Sequence, residues 1–302
     1  MIQVGIFTGY FPYTLEETAK KIRALGFNTV QLDLGFTDMD LSYDGLTPDK
    51  CKQIRDTFRK HDLPICSISG YTNFIHPEAE QQKSNMAMLK KTIECAKYLG
   101  TPYVISETGT LNPENEWMPH PDNKTEEGYA KCRDAIAEIV ACAGDNGATF
   151  LLETYVNNVI GSIEETQRLF TDIDHPALGL LMDPTNYFET HNIGNMDGEL
   201  NRIFDSLSHH VKIGHAKDVK MINEDKGVQI SDDAGTEERH ALKGVGQIEL
   251  PPPGLGELNY DLYIERLGAD HPNIPLIIEH LPEDDVPRAK DFIDGKLIAN
   301  GY

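Results

Sequence analysis

Eight short apolar runs, each bounded by turn residues, recur along the whole chain and constrain its fold more than any single residue does. They are IQVGIF (2–7), TVQLDL (29–34), PICSIS (64–69), PYVISE (102–107), TFLLET (149–154), LGLLMD (178–183), VKIGHA (211–216) and PLIIEH (275–280). Several are almost continuously apolar, as strands read when both faces are covered. Amphipathic helical patterns with recognisable ends lie between them. Leu15, Ala19, Ile22 and Leu25 share one face; Thr14 and Glu17 form a capping box, and Gly26 stands at the C′ stop. Ser162 and Glu165 repeat the box, Thr47 before Pro48 opens another helix, and Leu89, Ile93, Ala96 and Leu99 run into Gly100. Strand–helix alternation implies a parallel sheet. Eight such units, without a linker or a break in composition, predict an α/β fold: one (β/α)8 TIM barrel with 1–302 as a single domain.

One connection breaks the rhythm. Between strand seven and helix seven a long polar loop is expected over 218–258, containing NEDKGVQISDDAGTEERH (223–240) and the rigid PPPG (251–254). Loops of that length are either functional lids or decoration.

Charge narrows the classes of partner. With 49 acidic against 27 basic residues the net charge is -22, and the bases are scattered along helices, so a phosphate backbone would be repelled. No nucleic-acid partner is expected. The opening MIQVGIFTGY lacks the parts of a signal peptide, and no apolar run approaches the ~20 residues that cross a bilayer. Cys51, Cys66, Cys95, Cys132 and Cys142 form no CxxC pair and read as reduced thiols of a cytoplasmic protein.

In a parallel barrel every strand points its C-terminal end at the same face, where side chains from different strands meet. The last four strands end in Glu153, Asp183, His215 and Glu279, which are 30, 32 and 64 residues apart. Neighbouring barrel strands lie about 5 Å apart, so these side chains can converge. Three carboxylates in one pocket would repel one another and take up protons, which a divalent cation prevents. An oxygen-rich set with one imidazole and no thiolate suits Mn2+, with Mg2+ or Co2+ as alternatives, and not a structural zinc site. Each residue alone has a plainer reading, as a helix cap, an ion-pair partner or a hydrogen-bonded core histidine. Four in succession favour the metal.

Other residues at the same face are less specific. Asn73 and His76 (in YTNFIHPE) and Glu107 (in SETGT) either touch a polyhydroxylated ligand or shape turns. Lys217 and Asp218 either serve substrate binding and proton transfer or pair with each other. Tyr10, Phe11 and Trp117 either wall the site or belong to the core.

Taken together, LLET, LLMDPTN, IGHAKD and IIEH resemble the sugar isomerase/epimerase-like barrels of the xylose-isomerase-like superfamily over nearly the whole chain. The resemblance implies a divalent metal held by Glu153, Asp183, His215 and Glu279, a homo-oligomer (dimer or tetramer) and a small sugar or polyol substrate. Asn186 stands where the ketose 3-epimerases carry a histidine. The form His215–Asp218 (HxKD) replaces their arginine and is more similar to the inosose dehydratases and uncharacterised sugar-phosphate isomerases. Apurinic-site endonucleases share the superfamily, but their trinuclear zinc needs more histidines than this chain supplies. The resemblance implies an isomerase or epimerase that forms an enediolate, with Glu153 and Glu279 exchanging protons from opposite faces. The same first step followed by loss of a β-hydroxyl gives a dehydratase, with Lys217 or His76 as the acid. A sugar-binding barrel without catalysis is the third reading.

Overall fold

A computed structural model describes residues 1–231 and 241–302. Its barrel strands are β1 (Gln3–Phe7), β2 (Thr29–Leu32), β3 (Ile65–Ser69), β4 (Tyr103–Glu107), β5 (Thr149–Glu153), β6 (Leu178–Met182), β7 (Val211–Ala216) and, after four short strands, β12 (Pro275–Ile278). They close in the order β1-β12-β7-β6-β5-β4-β3-β2, and every pairing around the ring is parallel. The expected (β/α)8 barrel is therefore the observed one. Surrounding it are α1 (Leu15–Ala24), α2 (Pro48–Lys60), α3 (Ala79–Leu99), α4 (Glu126–Asp145), α5 (Ile163–Ile173), α6 (Met196–Leu207), α7 (Tyr260–Asp270) and α8 (Val286–Ala299).

Local chemistry sets the helix ends. Both capping boxes form, Thr14 with Glu17 and Ser162 with Glu165. Gly26 and Gly100 end α1 and α3 at φ of +82° and +85°, a region that costs most other residues strain. Helix α3 begins ten residues before its apolar stripe, because its first turns are mostly solvent-facing and its fully buried positions begin at Leu89. Among the described residues no helix is long and apolar enough to cross a membrane. All five cysteines are free thiols.

Two layers of core follow from the two-residue period of the strands. The larger lies between strands and helices. The smaller, inside the barrel, is built from Ile105, Leu151, Leu181, Ile213 and Ile277. Each of these stands two residues before a polar side chain at the mouth: Glu107, Glu153, Asp183, His215 and Glu279 in turn. Alternation along a strand returns the side chain to the same face, so the aliphatic layer and the polar layer are stacked. Gly5 makes room for this layer, since a Cβ there would lie 2.5 Å from Ile277 Cδ1.

The connection after β7 departs from the expected loop. It folds back on itself as a small antiparallel sheet, β8 (Lys220–Met221), β9 (Gln229–Ser231), β10 (Ala241–Val245) and β11 (Ile248–Glu249), in the order β8-β11-β10-β9. Val219, Ile248 and Leu250 bury its base against the main core. Residues 232–240 of the polar stretch lie outside the described residues.

Candidate metal centre

The four strand-end side chains converge. One ligand atom from each of Glu153, Asp183, His215 and Glu279 lies within 4.8 Å of the others, and all four residues are buried. The centre of the group is His215 Nδ1. It is 3.2 Å from Glu279 Oε2, 3.5 Å from Glu153 Oε1 and 3.9 Å from Asp183 Oδ2, yet it makes no hydrogen bond. The other ring nitrogen, Nε2, meets Gln31 Oε1 at 2.9 Å. Gln31 directs its amide NH2 at Ser69 Oγ and the Tyr71 hydroxyl, so its carbonyl oxygen is free to accept and Nε2 carries the proton. That tautomer leaves the Nδ1 lone pair facing three carboxylates.

The charges tell the same story. Burial alone would lower the His215 pKa, but the Glu279 and Glu153 charges outweigh it and carry the imidazole up to about 10. The carboxylates demand positive charge at Nδ1, which a proton or a metal ion can supply. A buried nitrogen without a hydrogen-bond partner, a fixed tautomer and three hard oxygen donors fit a divalent ion.

Asp183 divides its two oxygens between structure and site. Oδ1 caps the turn that follows β6, accepting from the Thr185 backbone N–H at 3.0 Å and from its hydroxyl at 2.6 Å. Oδ2 faces inward, 2.7 Å from Lys217 Nζ. Burial raises the Asp183 pKa against the opposing charge of Lys217. Lys217 also reaches Glu279 Oε1 at 3.2 Å and Asn186 Oδ1 at 2.8 Å, so three acceptors match its three protons. Burial would lower its pKa, yet Asp183 and Glu279 hold it above the usual lysine value. Against burial, His215 and Lys217 hold Glu279 well below the usual carboxylate range. Asn186 links the two sides of the site, donating its amide to Glu153 Oε1 at 3.0 Å.

Of the remaining sequence candidates, Glu107 stays at the mouth. It pairs in register with Glu153 across β4 and β5 and accepts from Asn158 Nδ2 at 3.2 Å. Burial and then the Glu153 charge push its pKa well up. Three other candidates have structural roles. Asn73 spends both ends of its amide on the Thr110 backbone, at 2.8 and 3.2 Å, and braces the loop after β4. His76 accepts the Glu78 backbone N–H on Nδ1 at the entry to α3. Asp218, 1% exposed, accepts backbone N–H groups of Val219, Leu258 and Gly254 and ties the exit of β7 to the returning chain. Asn73 and Asp218 are committed to backbone structure, and His76 commits one ring nitrogen to it. Tyr10 belongs to the mouth, its hydroxyl accepting from the His280 N–H, whereas Phe11 and Trp117 pack on the core outside the strands.

Two functional candidates escaped the sequence reading. Gln31 reaches across the closed barrel to His215; its signal was a polar residue inside the apolar run TVQLDL. Tyr71, the first residue of YTNFIHPE, donates its hydroxyl to Glu153 Oε2.

Comparison with known proteins places the fold. The family profile described as xylose isomerase-like TIM barrel matches residues 19–296. A search of curated protein sequences returns no match. Among solved structures, the chain is similar to a probable 3-DHS dehydratase, AsbF, from Bacillus anthracis, at 16% identity and TM-score 0.70, covering 100% of each chain. It is also similar to a D-tagatose 3-epimerase-like protein (17% identity, TM-score 0.70, 99% of this chain and 98% of that one). A third is a xylose isomerase-like TIM barrel protein from Mycobacterium smegmatis in complex with magnesium (17% identity, TM-score 0.67, 99% and 96%). At such identities the solved structures speak for the fold, and the family match covers most of the sequence: the chain belongs to the xylose isomerase-like TIM barrel family.

Proposed function

We propose that this protein is a divalent-metal-dependent isomerase or epimerase of a sugar or keto-polyol, with Mn2+ as the preferred ion and Mg2+ or Co2+ able to replace it. The observation that carries the reading is His215 Nδ1, buried without a hydrogen-bond partner and facing Glu153, Asp183 and Glu279. A divalent cation is in keeping with the Mycobacterium smegmatis protein of the same fold, which is in complex with magnesium. A divalent ion there would polarise a carbonyl and its neighbouring hydroxyl and acidify the C–H between them.

The chain's own residues would move the proton. Glu153 on β5 and Glu279 at the end of β12 are separated by β6 and β7, so they flank a substrate from different sides. One takes the proton and the other returns one. Return to the same carbon inverts it; return to the adjacent carbon interconverts aldose and ketose. Tyr71 and Asn186 hold Glu153 in place, while Lys217 and His215 hold Glu279.

A dehydratase of the inosose type is the alternative, and one observation favours it. Expelling a hydroxyl needs an acid, and Glu107 is a carboxyl at the mouth beside Glu153 whose pKa burial and the Glu153 charge push upward, towards the acid form. Incubation with Mn2+ and ketoses or inososes in D2O, followed by NMR, separates the two. Metal-dependent deuterium uptake into a new isomer is the expected result. An unsaturated or diketo product would move the assignment to the lyase, and no exchange on any of these substrates would sink both.

A further inference from the structure

TIM barrels that bind phosphate commonly do so between the loops after their last two strands, at backbone N–H groups near the start of a short helix. Here those loops follow β7 and β12, and both are already supplied with anions by the protein itself. After β7, the Asp218 carboxylate sits in a cradle of main-chain amides. Oδ1 accepts from Val219 and Leu258, each at 2.9 Å, and Oδ2 from Gly254 at 2.8 Å. The Gly256 N–H adds to the same group. The glycines belong to this embrace: a Cβ on Gly256 would lie 2.3 Å from Asp218 Oδ1, and Gly254 has a φ of +83°. Convergent N–H groups on a glycine-containing turn are how a backbone nest holds phosphate.

The loop after β12 is no more receptive. Its short 3₁₀ turn consists of Glu283, Asp284 and Asp285, which set negative charge where an anion would need N–H groups. Among the described residues, the cations on or facing these loops and the mouth are engaged as follows. Lys217 is shared by Asp183, Glu279 and Asn186, and Arg288 grips Asp285 and the Pro253 carbonyl. Lys124 pairs with Glu165 and the Asn158 carbonyl, and Lys21 with Glu283. At the mouth itself stand four carboxyl groups, Glu107, Glu153, Asp183 and Glu279.

From this we infer that Asp218 fills the anion-binding corner of the barrel from within, and that the site takes an uncharged polyhydroxy carbonyl compound in preference to its phosphate ester or a carboxylate. The cradle is a property of the chain alone, whereas the substrate class rests on the function proposed above, so the test has separate arms. In metal-free protein, Asp218→Ala is expected to melt several degrees lower and to regain that loss in tens of millimolar inorganic phosphate. Wild type should not respond to phosphate beyond a chloride control of equal ionic strength. Stabilisation of wild type by phosphate, or an Asp218→Ala protein indifferent to it, overturns the inference. Should that variant not fold, calorimetric titration of Mn2+-loaded wild type decides. Neutral ketoses or inososes are expected to bind at least tenfold more tightly than their phosphate esters. Equal or tighter binding of the esters, or no binding of any neutral compound, overturns it. Mn2+ uptake by the same protein is followed in parallel, and its absence would remove the functional reading instead.

Discussion

The two ends of β7 each carry a histidine, and their surroundings drive the two in opposite directions. His210, just before the strand at the closed bottom of the barrel, stacks on Phe170 at 3.7 Å between ring centroids. Burial, then the neighbouring His209 and Lys212, lower its pKa to about 4. Five residues on, His215 is more deeply buried, but the carboxylates around it carry its pKa up to about 10. Neither value follows from the residue type or the strand. Burial and neighbouring cations disfavour a charge on the bottom histidine, while the carboxylates at the mouth favour one.

Removing the histidine at the mouth should have the largest effect. His215→Ala is expected to lower Mn2+ affinity by more than about 100-fold, since even groups supporting a ligand are worth 10–100-fold. Calorimetric Mn2+ titration measures it, and unchanged affinity would end the distinction between the two ends. Gln31→Leu leaves the four ligands in place and frees the His215 ring to turn. A loss of about 10–100-fold in Mn2+ affinity is expected there, with circular dichroism showing a folded barrel. Between the two ends lies the aliphatic layer. Leu151→Ala should cost about 2–5 kcal/mol in urea unfolding of the metal-free protein. Ser69→Ala, whose hydroxyl only receives the Gln31 amide, should cost about 1 kcal/mol.

The smallest effect lies at the bottom and depends on pH. His210 binds a proton near pH 6.5 when unfolded and near 4 when folded. The unfolded state therefore holds more protons between those values, and stability falls as pH drops from 6.5 towards 4. Because the side chain is only half-buried, the loss should be about 1 kcal/mol. Unfolding of wild type and His210→Gln at pH 7 and pH 4.5 tests the sign: the difference between the proteins should shrink at the lower pH.

How much of this was readable in advance depended on whether the partners were close in sequence or fixed by a period. Capping boxes and glycine stops are local, so α1 and α5 could be read with their ends. The convergence of Glu153, Asp183, His215 and Glu279 was readable because each closes an apolar run, and barrel closure brings run ends together. Gln31 was not, because its meaning comes from a partner 184 residues away across the barrel. The backbone role of Asp218 was hidden for a related reason. It stands beside Lys217 in a site-like stretch, but its partners Gly254 and Leu258 lie on the far side of the excursion. The small sheet stayed hidden because strands of two to five residues with polar faces show little periodicity.

The carboxylate clamp at Asp218 also has a bearing on how the chain can change over generations. It joins the first and last residues of the excursion at the barrel wall, with the Pro251 carbonyl accepting the Asp218 N–H and the Val219 carbonyl accepting that of Glu257. With its stem stapled in this way, the excursion hangs like a cassette on a two-stranded stalk. Closure entropy grows slowly with loop length, about 0.6 kcal/mol for each doubling. A change of length beyond the stalk is thus expected to cost the barrel little, with the mouth beside it kept in register by the stem.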